Sequence, residues 1–340
     1  MELVTGATGI VGMHRLAWLL ERDFPVRAMR RAGSDVSRCL AFLDARASGK
    51  KAQLEWVEAD LDDVHSLEEA MRGVDTVFHA AGMVSFEARN KARLFEVNTR
   101  GTTHVVDAAL AVGVSNLIYI SSVAAVRRFG PSSPAQPVRE DTEWNGGVGA
   151  SIYGKSKRAG EMEAWRGSAE GLNVVALCPS IVIGAGNFKA SSGEMWSRVD
   201  AGMSWTPSGA SGFVAATDIA AISGALLEAG IAGQPGIWGE RFIVNEGTHL
   251  FKEVLGGIAQ ALNRPSPTKS PPAWLLYLAY RPLQWWAWIS RTPPLLTKEL
   301  VDTATSSVYY STEKLAAVLP EFQFTSIPEA ISKTAELYSR

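Results

Sequence analysis

The sequence predicts an α/β fold in which helices cover both faces of a parallel sheet. Short apolar segments of strand character alternate with segments whose apolar residues recur at helical spacing, such as Val64, Leu67 and Met71. This alternation is typical of a doubly wound parallel sheet. A glycine-rich turn follows the first strand at residues 5–12, and the composition changes near residue 180. We therefore expect a smaller, mixed C-terminal region beside the sheet.

The predicted strands are spaced widely enough to leave a helix between most neighbours. They are 2–4, 26–29, 55–58, 76–80, 116–120 and 173–178, with a later one at 242–244. In an open parallel sheet, ligands bind in the crevice outside the carboxyl ends of the strands. Polar side chains that follow these strands are therefore candidates for one common site.

The glycine-rich turn has the character of a phosphate-binding site. The first strand leads directly into Gly6, Gly9 and Gly12, and a helix with an apolar stripe follows. Glycine lets the backbone approach a pyrophosphate, while the free N–H groups and the dipole at the helix start attract its charge. We expect a dinucleotide to bind here, at these glycines, Thr8 and Ile10. The alternative is that the glycines only shape the turn.

Tyr153 and Lys157 form a candidate acid/base pair. Residues four apart share one face of a helix, so the phenol and the ammonium are expected to lie side by side. Free tyrosine and lysine have pKa values near ~10 and ~10.4, too high for easy proton exchange at neutral pH. Because a nearby cation favours the phenolate, we expect Lys157 to lower the pKa of Tyr153. A chance occurrence of this spacing is the alternative.

In this order and at this distance, the two motifs resemble the short-chain dehydrogenase/reductase superfamily, in its extended, epimerase-like branch. The resemblance covers most of the chain, and residues 5–12 match that family's Thr-Gly-x-x-Gly-x-x-Gly turn without a departure. It implies a Rossmann-type fold and a nicotinamide dinucleotide, with Tyr153 exchanging a proton with the substrate oxygen and Lys157 also holding the cofactor ribose.

The resemblance also implies further site residues. They are Asp60 and Leu61 at the adenine, His79, Ala80 and Ala81 at the adenine-side ribose, Asn98 holding a water and the active-site lysine in register, Ser122 hydrogen-bonded to the substrate oxygen, and Pro179 beside the cofactor. The residues themselves leave alternatives open. Asp60 and Asn98 also suit helix caps, and His79 also suits a buried, hydrogen-bonded histidine.

Two departures from the sugar-modifying relatives bear on the substrate. Nucleotide-sugar epimerases and dehydratases usually end the strand before the substrate loop in an aromatic-Asn pair, where this chain has Pro179-Ser180. Sugar dehydratases carry Asp-Glu after the catalytic hydroxyl, where Ser122 is followed by Val123. The chain looks more like the dihydroflavonol-reductase and 3β-hydroxysteroid-dehydrogenase branch. We expect an oxidoreductase of hydrophobic ketones or alcohols, with a sugar-modifying epimerase and a non-enzymatic cofactor-binding protein as alternatives.

The end of the second predicted strand bears on the choice of cofactor. An NAD site places an acidic residue there, whereas an NADP site offers a cation to the 2′-phosphate. The strand runs into Arg30 and Arg31, and the first acid, Asp35, comes later. We therefore expect NADP(H), with NAD(H) as the alternative. The other interpretation is that both arginines belong to a solvated strand end.

Composition and charge exclude several classes of protein. The 340 residues are 46% hydrophobic, enough for a large core, and the net charge of −2 provides no basic field for nucleic acid. Cys39 and Cys178 are far apart and no His/Cys cluster is present, so we expect reduced thiols and no metal. The N-terminus lacks the pattern of a signal peptide, which predicts a cytoplasmic protein. Relatives suggest a homodimer through helices near Asn98 and Tyr153.

The segment 273–289 is strongly apolar. It holds four of the eleven tryptophans, and Arg281-Pro282 divides it into halves that are each shorter than the roughly 20 residues needed to span a bilayer. We expect a lid whose aromatic residues line a hydrophobic pocket, namely Trp274, Tyr277, Trp285 and Trp288. The alternative is a surface that docks on lipid or on a partner.

The chain is expected to divide into two regions. Residues 1–180 form the predicted dinucleotide-binding domain, with return contributions from about 213–245. Residues 181–212 and 246–340 form the predicted substrate-binding region.

Overall fold

The computed structural model describes residues 1–126, 132–144, 150–290, 301 and 305–338. Its strands within these ranges are β1 Glu2–Thr5, β2 Val26–Arg30, β3 Leu54–Glu58, β4 Thr76–His79, β5 Asn116–Ile120, β6 Asn173–Pro179, β7 Ile181–Ile183, β8 Ala210–Ala215, β9 Glu240–Val244 and β10 Gly247–Leu250. Seven of them form a parallel sheet in the order β3-β2-β1-β4-β5-β6-β9. The strand order reverses between β1 and β4, and the crevice at such a point is where ligands bind in open α/β sheets.

The helices flank this sheet. They are α1 Ile10–Glu21, α2 Ser37–Arg46, α3 Val64–Met71, α4 Lys91–Phe95, α5 Gly101–Ala111, α6 Val123–Val126, α7 Ile152–Ala169, α8 Glu194–Asp200, α9 Ala216–Ile231, α10 Phe251–Ala261, α11 Ala273–Ser290, α12 Glu313–Val318 and α13 Ile327–Tyr338. A π turn, Glu96–Arg100, joins α4 to α5.

The core has two layers, one on each face of the large sheet. Successive side chains of a strand point to opposite faces, so Val4 packs with α1 and α9 whereas Leu3 packs with α3, α5 and α7. The same alternation separates Phe78 from Val77 on β4. Both faces are therefore apolar and covered by helices, which confirms the predicted doubly wound fold.

A second, mixed sheet adjoins the first. It has the order β10-β8-β7, with β8 parallel to β7 and antiparallel to β10. The segment 213–245, which was expected to return to the large sheet, contributes to both sheets. Strand β9 joins the large sheet and α9 packs against its α1 side, whereas β8 belongs to the small sheet.

Helix α11 presents most of its large apolar side chains to solvent. Trp274, Tyr277 and Trp285 are all exposed, so in this structure they do not enclose the hydrophobic pocket that was expected beneath a lid. The reason is orientation, since the half-buried side chains of α11, Leu276 and Leu283 among them, lie on its other side. The side chain of Trp288 lies outside the described residues. Among the described residues, none of the helices combines the length and apolar character needed to cross a bilayer.

Candidate active site

The glycine-rich turn joins β1 to α1 with little space around its backbone. Gly6 has a φ of 66°, in the left-handed region that favours glycine, and a Cβ there would lie 2.6 Å from the Ala81 nitrogen. A Cβ on Gly12 would collide with the Gly6 carbonyl oxygen. The turn therefore needs glycine at both positions, and it brings the start of α1 against the Ala80-Ala81 backbone that follows β4.

The first turn of α1 is suited to receive an anion. Its N-cap is Gly9, which offers no capping side chain, and the turn contains no acidic residue. The N–H groups and the helix dipole are therefore available to a pyrophosphate. Thr8 and Ile10 are partly exposed on the same turn. These residues fit the dinucleotide that the sequence predicts.

Arg30 and Arg31 lie at the end of β2, in different surroundings. Arg31 is exposed, whereas Arg30 donates from Nη2 to Glu58 Oε1 at 2.8 Å. The Nε atom of Arg30 is buried and has no hydrogen-bond partner. Because a buried donor without an acceptor is costly, this N–H fits an acceptor supplied by a ligand. The sequence interpretation did not foresee Glu58, which already holds one side of the guanidinium.

Asp60 and Leu61 form the loop after β3. The carbonyl oxygen of Leu61 accepts a hydrogen bond from His104 Nδ1 at 2.6 Å, which ties the loop to α5. The N-cap of α3 is Asp63, whose carboxylate accepts from the Ser66 nitrogen at 3.3 Å. The helix-cap alternative for Asp60 is therefore wrong, and its carboxylate is exposed at the edge of the crevice.

His79 is buried beneath the glycine turn. The Thr5 hydroxyl accepts from the Ala81 nitrogen and donates to His79 Nδ1, while His79 Nε2 donates to Thr102, whose own hydroxyl donates to the Asn98 carbonyl oxygen. Burial lowers the pKa of His79 to about 3, so the ring is neutral and its Nδ1 accepts from Thr5. With both ring nitrogens bonded to Thr5 and Thr102, the buried ring supports the turn that is expected to lie under the ribose.

The structure brings Ser122, Tyr153 and Lys157 together at the carboxyl end of β5. Tyr153 lies in the first turn of α7, and its phenol is hydrogen-bonded to the Ser122 hydroxyl. Lys157 is buried one turn later, where its ammonium donates to the Ile120 carbonyl oxygen at 2.7 Å. The same ammonium lies 4.5 Å from the centre of the Tyr119 ring. A hydroxyl, a phenol and a cation thus form one cluster.

Burial controls the ionisation of this cluster. It raises the pKa of Tyr153, and the hydrogen bond from Ser122 opposes that rise. It also lowers the pKa of Lys157 to about 8, against the opposing effect of the Glu161 carboxylate. The expectation that Lys157 lowers the tyrosine pKa is therefore wrong for this structure, because desolvation of the phenol is the larger effect. Tyr153 keeps its proton at neutral pH, as a proton donor must.

Asn98 lies in the π turn between α4 and α5, a distortion that is frequent at functional sites. Its Oδ1 accepts from the Met83 nitrogen at 2.7 Å, and its Nδ2 donates to Ser156 Oγ at 2.9 Å. The Ser156 hydroxyl donates in turn to the Tyr153 carbonyl oxygen. Through Ser156 the amide thus holds the helix that carries both Tyr153 and Lys157. The N-caps of the adjoining helical segments are Phe95 and Arg100, so Asn98 is not a cap.

Glu161 is the site residue that the sequence interpretation missed. It lies one helical turn after Lys157 and is fully buried. Its carboxylate accepts hydrogen bonds from Ser121 Oγ at 2.6 Å, Arg241 Nη1 at 3.2 Å and Trp165 Nε1 at 3.3 Å. The four-residue spacing from Lys157 was the available signal, since it places both charges on one face of α7. The carboxylate offsets part of the cost of burying the lysine charge.

The Phe86 ring forms an apolar wall beside the candidate proton donor, and Val84 lies two residues before it in the chain. The Phe86 ring meets the Tyr153 ring edge-on, with centroids 6.0 Å apart, and both Phe86 and Val84 remain exposed. Apolar side chains that stay exposed next to a buried polar cluster suit an apolar ligand. The sequence interpretation had not singled out either residue.

Pro179 and the two cysteines are buried in the core. Pro179 is buried at the end of β6, opposite Val244 on β9. Cys39 and Cys178 are both free and buried, and burial raises the pKa of the Cys39 thiol to about 12. Within the described ranges, no three His, Cys, Asp or Glu side chains are grouped so that they could hold a metal ion.

The chain is similar to several known proteins. Residues 2–204 match the model of the NAD dependent epimerase/dehydratase family. The chain is 27% identical over 334 residues to the "Putative dihydroflavonol 4-reductase" of a Synechocystis strain, covering 97% of this chain and 92% of that protein. It is 30% identical over 195 residues to mouse 3 beta-hydroxysteroid dehydrogenase type 7, covering 54% and 51%. The crystal structure of gox2253 is similar with a TM-score of 0.80 and 25% identity, covering 100% and 98%.

Proposed function

Because the chain belongs to the NAD-dependent epimerase/dehydratase family, we propose that it is an NADP(H)-dependent oxidoreductase of apolar ketones or alcohols. The observation that carries this proposal is the cluster of Ser122, Tyr153 and Lys157 beside the crevice where the strand order reverses. The relatives named for dihydroflavonol and steroid substrates support an apolar substrate class.

The cluster can carry out the proton transfer of such a reaction. A bound nicotinamide would supply or accept the hydride. Tyr153 donates its proton to the substrate oxygen, Ser122 fixes that oxygen through its hydroxyl, and the Lys157 ammonium stabilises the phenolate that the transfer leaves. Because burial raises the pKa of Tyr153, the phenol carries at neutral pH the proton that ketone reduction needs.

Arg30 supports NADP(H) as the cofactor. Its buried, unpartnered Nε lies at the end of β2, where a 2′-phosphate is recognised in related folds. Hydrogen bonds from a guanidinium to a phosphate are charge-assisted and can be bidentate. Glu58 competes for the same side chain, so the preference is smaller than an unpaired arginine would give.

A nucleotide-sugar epimerase is the second candidate. The match of residues 2–204 to a family model named for epimerases and dehydratases favours it. The apolar wall of Phe86, together with the Pro179-Ser180 sequence at the end of β6, favours the oxidoreductase.

A substrate series distinguishes the two candidates. Purified protein is given NADPH and ketones of increasing apolar bulk, or UDP- and dTDP-sugars, and cofactor oxidation and sugar products are followed. We expect kcat/KM to rise with bulk, because each buried methylene contributes about 0.8 kcal/mol, or roughly fourfold. Faster conversion of a nucleotide sugar than of every ketone would replace the proposal with the epimerase.

Two variants test where the apolar part of the substrate lies. Phe86→Ala should flatten the dependence on bulk, because the ring beside Tyr153 is removed. Phe24→Ala is the matched control, since Phe24 is similarly exposed, at 46% against 43%, and packs against Trp18 away from the site. Equal effects of the two variants would place the apolar contact elsewhere.

A further inference from the structure

Helix α11 carries a continuous apolar stripe that is open to solvent. Trp274, Leu278, Trp285 and Ile289 follow one another at separations of four, seven and four residues, which places them on one side of a helix. Trp286 borders this stripe. The five side chains, called here the aromatic face, are each between 62% and 72% exposed.

The aromatic face is as large as the largest apolar patch of a typical monomer, which is often functional. At about 150–250 Å² for each aromatic side chain, its three tryptophans alone leave roughly 300–500 Å² uncovered. That area equals the largest apolar patch of a typical monomer, about 300–600 Å², before Leu278 and Ile289 are added. The opposite side of α11, with Leu276, Tyr280 and Leu283, is half-buried. The helix therefore keeps one apolar side against the protein and presents another outward.

The surroundings of the aromatic face are basic. The described residues 265–290 contain two basic residues, Lys269 and Arg281, and no Asp or Glu. Arg264, just before them, is paired with Asp200 at 2.9 Å. Lys269 precedes the helix, and its ammonium lies 5.8 Å from the centre of the exposed Trp205 ring. Trp205 belongs to the segment that pairs with Lys269, since the Thr206 nitrogen donates to the Lys269 carbonyl oxygen at 2.8 Å. Arg281 lies on the helix itself, between Leu278 and Trp285.

We propose that the aromatic face is a peripheral docking surface for an anionic lipid bilayer. Tryptophan and tyrosine prefer the headgroup level of a membrane, where an apolar ring and a polar tip are both accommodated. Basic residues around such a helix attract anionic lipids. Within the described residues α11 is not long and apolar enough to cross a bilayer, which agrees with a helix lying in the interface.

The same charges argue against a second copy of this chain as the occupant. A symmetric dimer places the same patch of both subunits together, so each residue of one copy faces its counterpart or that counterpart's neighbours in the other. Here that contact would bring Lys269 and Arg281 of one copy towards those of the other, and residues 265–290 supply no acid to neutralise them. An anionic surface satisfies both the apolar and the charged groups.

Vesicle flotation of the full chain tests the proposal. Vesicles of phosphatidylcholine alone are compared with vesicles containing about 30% phosphatidylserine, at low and high salt. We expect binding to the anionic vesicles, weakened by salt. Because each basic residue near such a surface contributes about fivefold, Lys269→Ala with Arg281→Ala should weaken binding at least tenfold. The measurement does not depend on catalysis, so it stands apart from the proposed reaction.

Charge insertion tests the apolar part of the surface. Trp285→Glu should abolish flotation, because it puts a carboxylate into the interface. Ile231→Glu is the matched control at a comparably exposed residue, 65% exposed at the end of α9, and should bind like the wild type. Equal binding to neutral and anionic vesicles, or equal losses in the two variants, would overturn the proposal. The proposal would also be overturned if the wild type were a dimer that binds no vesicles and the Trp285→Glu variant were a monomer.

Discussion

Replacing Glu161 by glutamine removes the buried charge behind Lys157 and keeps the shape of the side chain. The carboxylate opposes the effect of burial on Lys157, whose pKa is about 8. An opposite charge nearby shifts a pKa by about 1–3 units, and we take about one unit because Arg158 and Arg241 share this carboxylate. The pKa of Lys157 should therefore fall to roughly 7 in Glu161→Gln.

The direction of this pKa shift can be measured from the pH dependence of activity. Lys157 acts as an ammonium, so activity is lost as pH rises through its pKa. A fall of about one unit moves the alkaline limb of the kcat/KM profile to lower pH. At about pH 8 the charged fraction drops from about one half to about one tenth, roughly fivefold, whereas at about pH 6 it hardly changes. The same loss should appear in NADPH affinity if the lysine holds the cofactor ribose.

Stability and a control complete this experiment. Arg158 and Arg241 lose their buried partner, which should cost about 3 kcal/mol, so thermal unfolding is followed and kinetics are measured well below the transition. Glu240→Gln is the matched control, since Glu240 precedes Arg241 on β9 and pairs with Lys314 in a more exposed bridge. An alkaline limb that stays in place in Glu161→Gln, or moves to higher pH, would refute this reasoning.

Three further predictions concern stability and cofactor choice. The folded-state pKa of His79, about 3, and that of His14, about 4, lie below the ordinary value of 6.5, so each should contribute stability that is lost as pH falls from about 6.5. Urea unfolding should show a slope of about 1.4 kcal/mol per pH unit for each histidine, and His79→Asn should remove one of them; an unchanged slope would contradict the assignment. The pKa of Lys157 is lowered from 10.5 to about 8, so its contribution to stability should likewise rise with pH, here between about pH 8 and 10.5, and Lys157→Met should abolish that rise. Arg30→Ala should weaken NADP(H) binding about tenfold with little effect on NAD(H), and Glu58→Gln should strengthen NADP(H) binding; equal losses for both cofactors would place the phosphate contact elsewhere.

The fold could be predicted because the sequence patterns that indicate it are local. The strand pattern, the glycine turn and the helical spacing of Tyr153 and Lys157 each depend on a few neighbouring residues, and the structure has the expected sheet and the expected cluster. The orientation of α11 did not follow, because an apolar run does not show which side packs against the protein.

Ionisation was the least predictable property of the site. The pKa of Tyr153 depends on burial, which comes from the whole fold, and the sequence interpretation considered only the neighbouring charge of Lys157. His79 was assigned to the cofactor although Thr5 and Thr102, distant in sequence, take both of its ring nitrogens. Glu161 was overlooked although its four-residue spacing from Lys157 was visible, whereas its partner Arg241, 80 residues away along the chain, was not.

The role of Tyr153 as proton donor is tested most directly by Tyr153→Phe. The change deletes the transferable proton and keeps the ring, so turnover should fall by about 10²–10⁴ while NADPH binds nearly as in the wild type. Tyr338→Phe, which removes only a hydroxyl bonded to Asp200, should retain full turnover. A Tyr153→Phe protein that keeps more than about a tenth of wild-type turnover, with chemistry rate-limiting, would contradict the assignment of Tyr153.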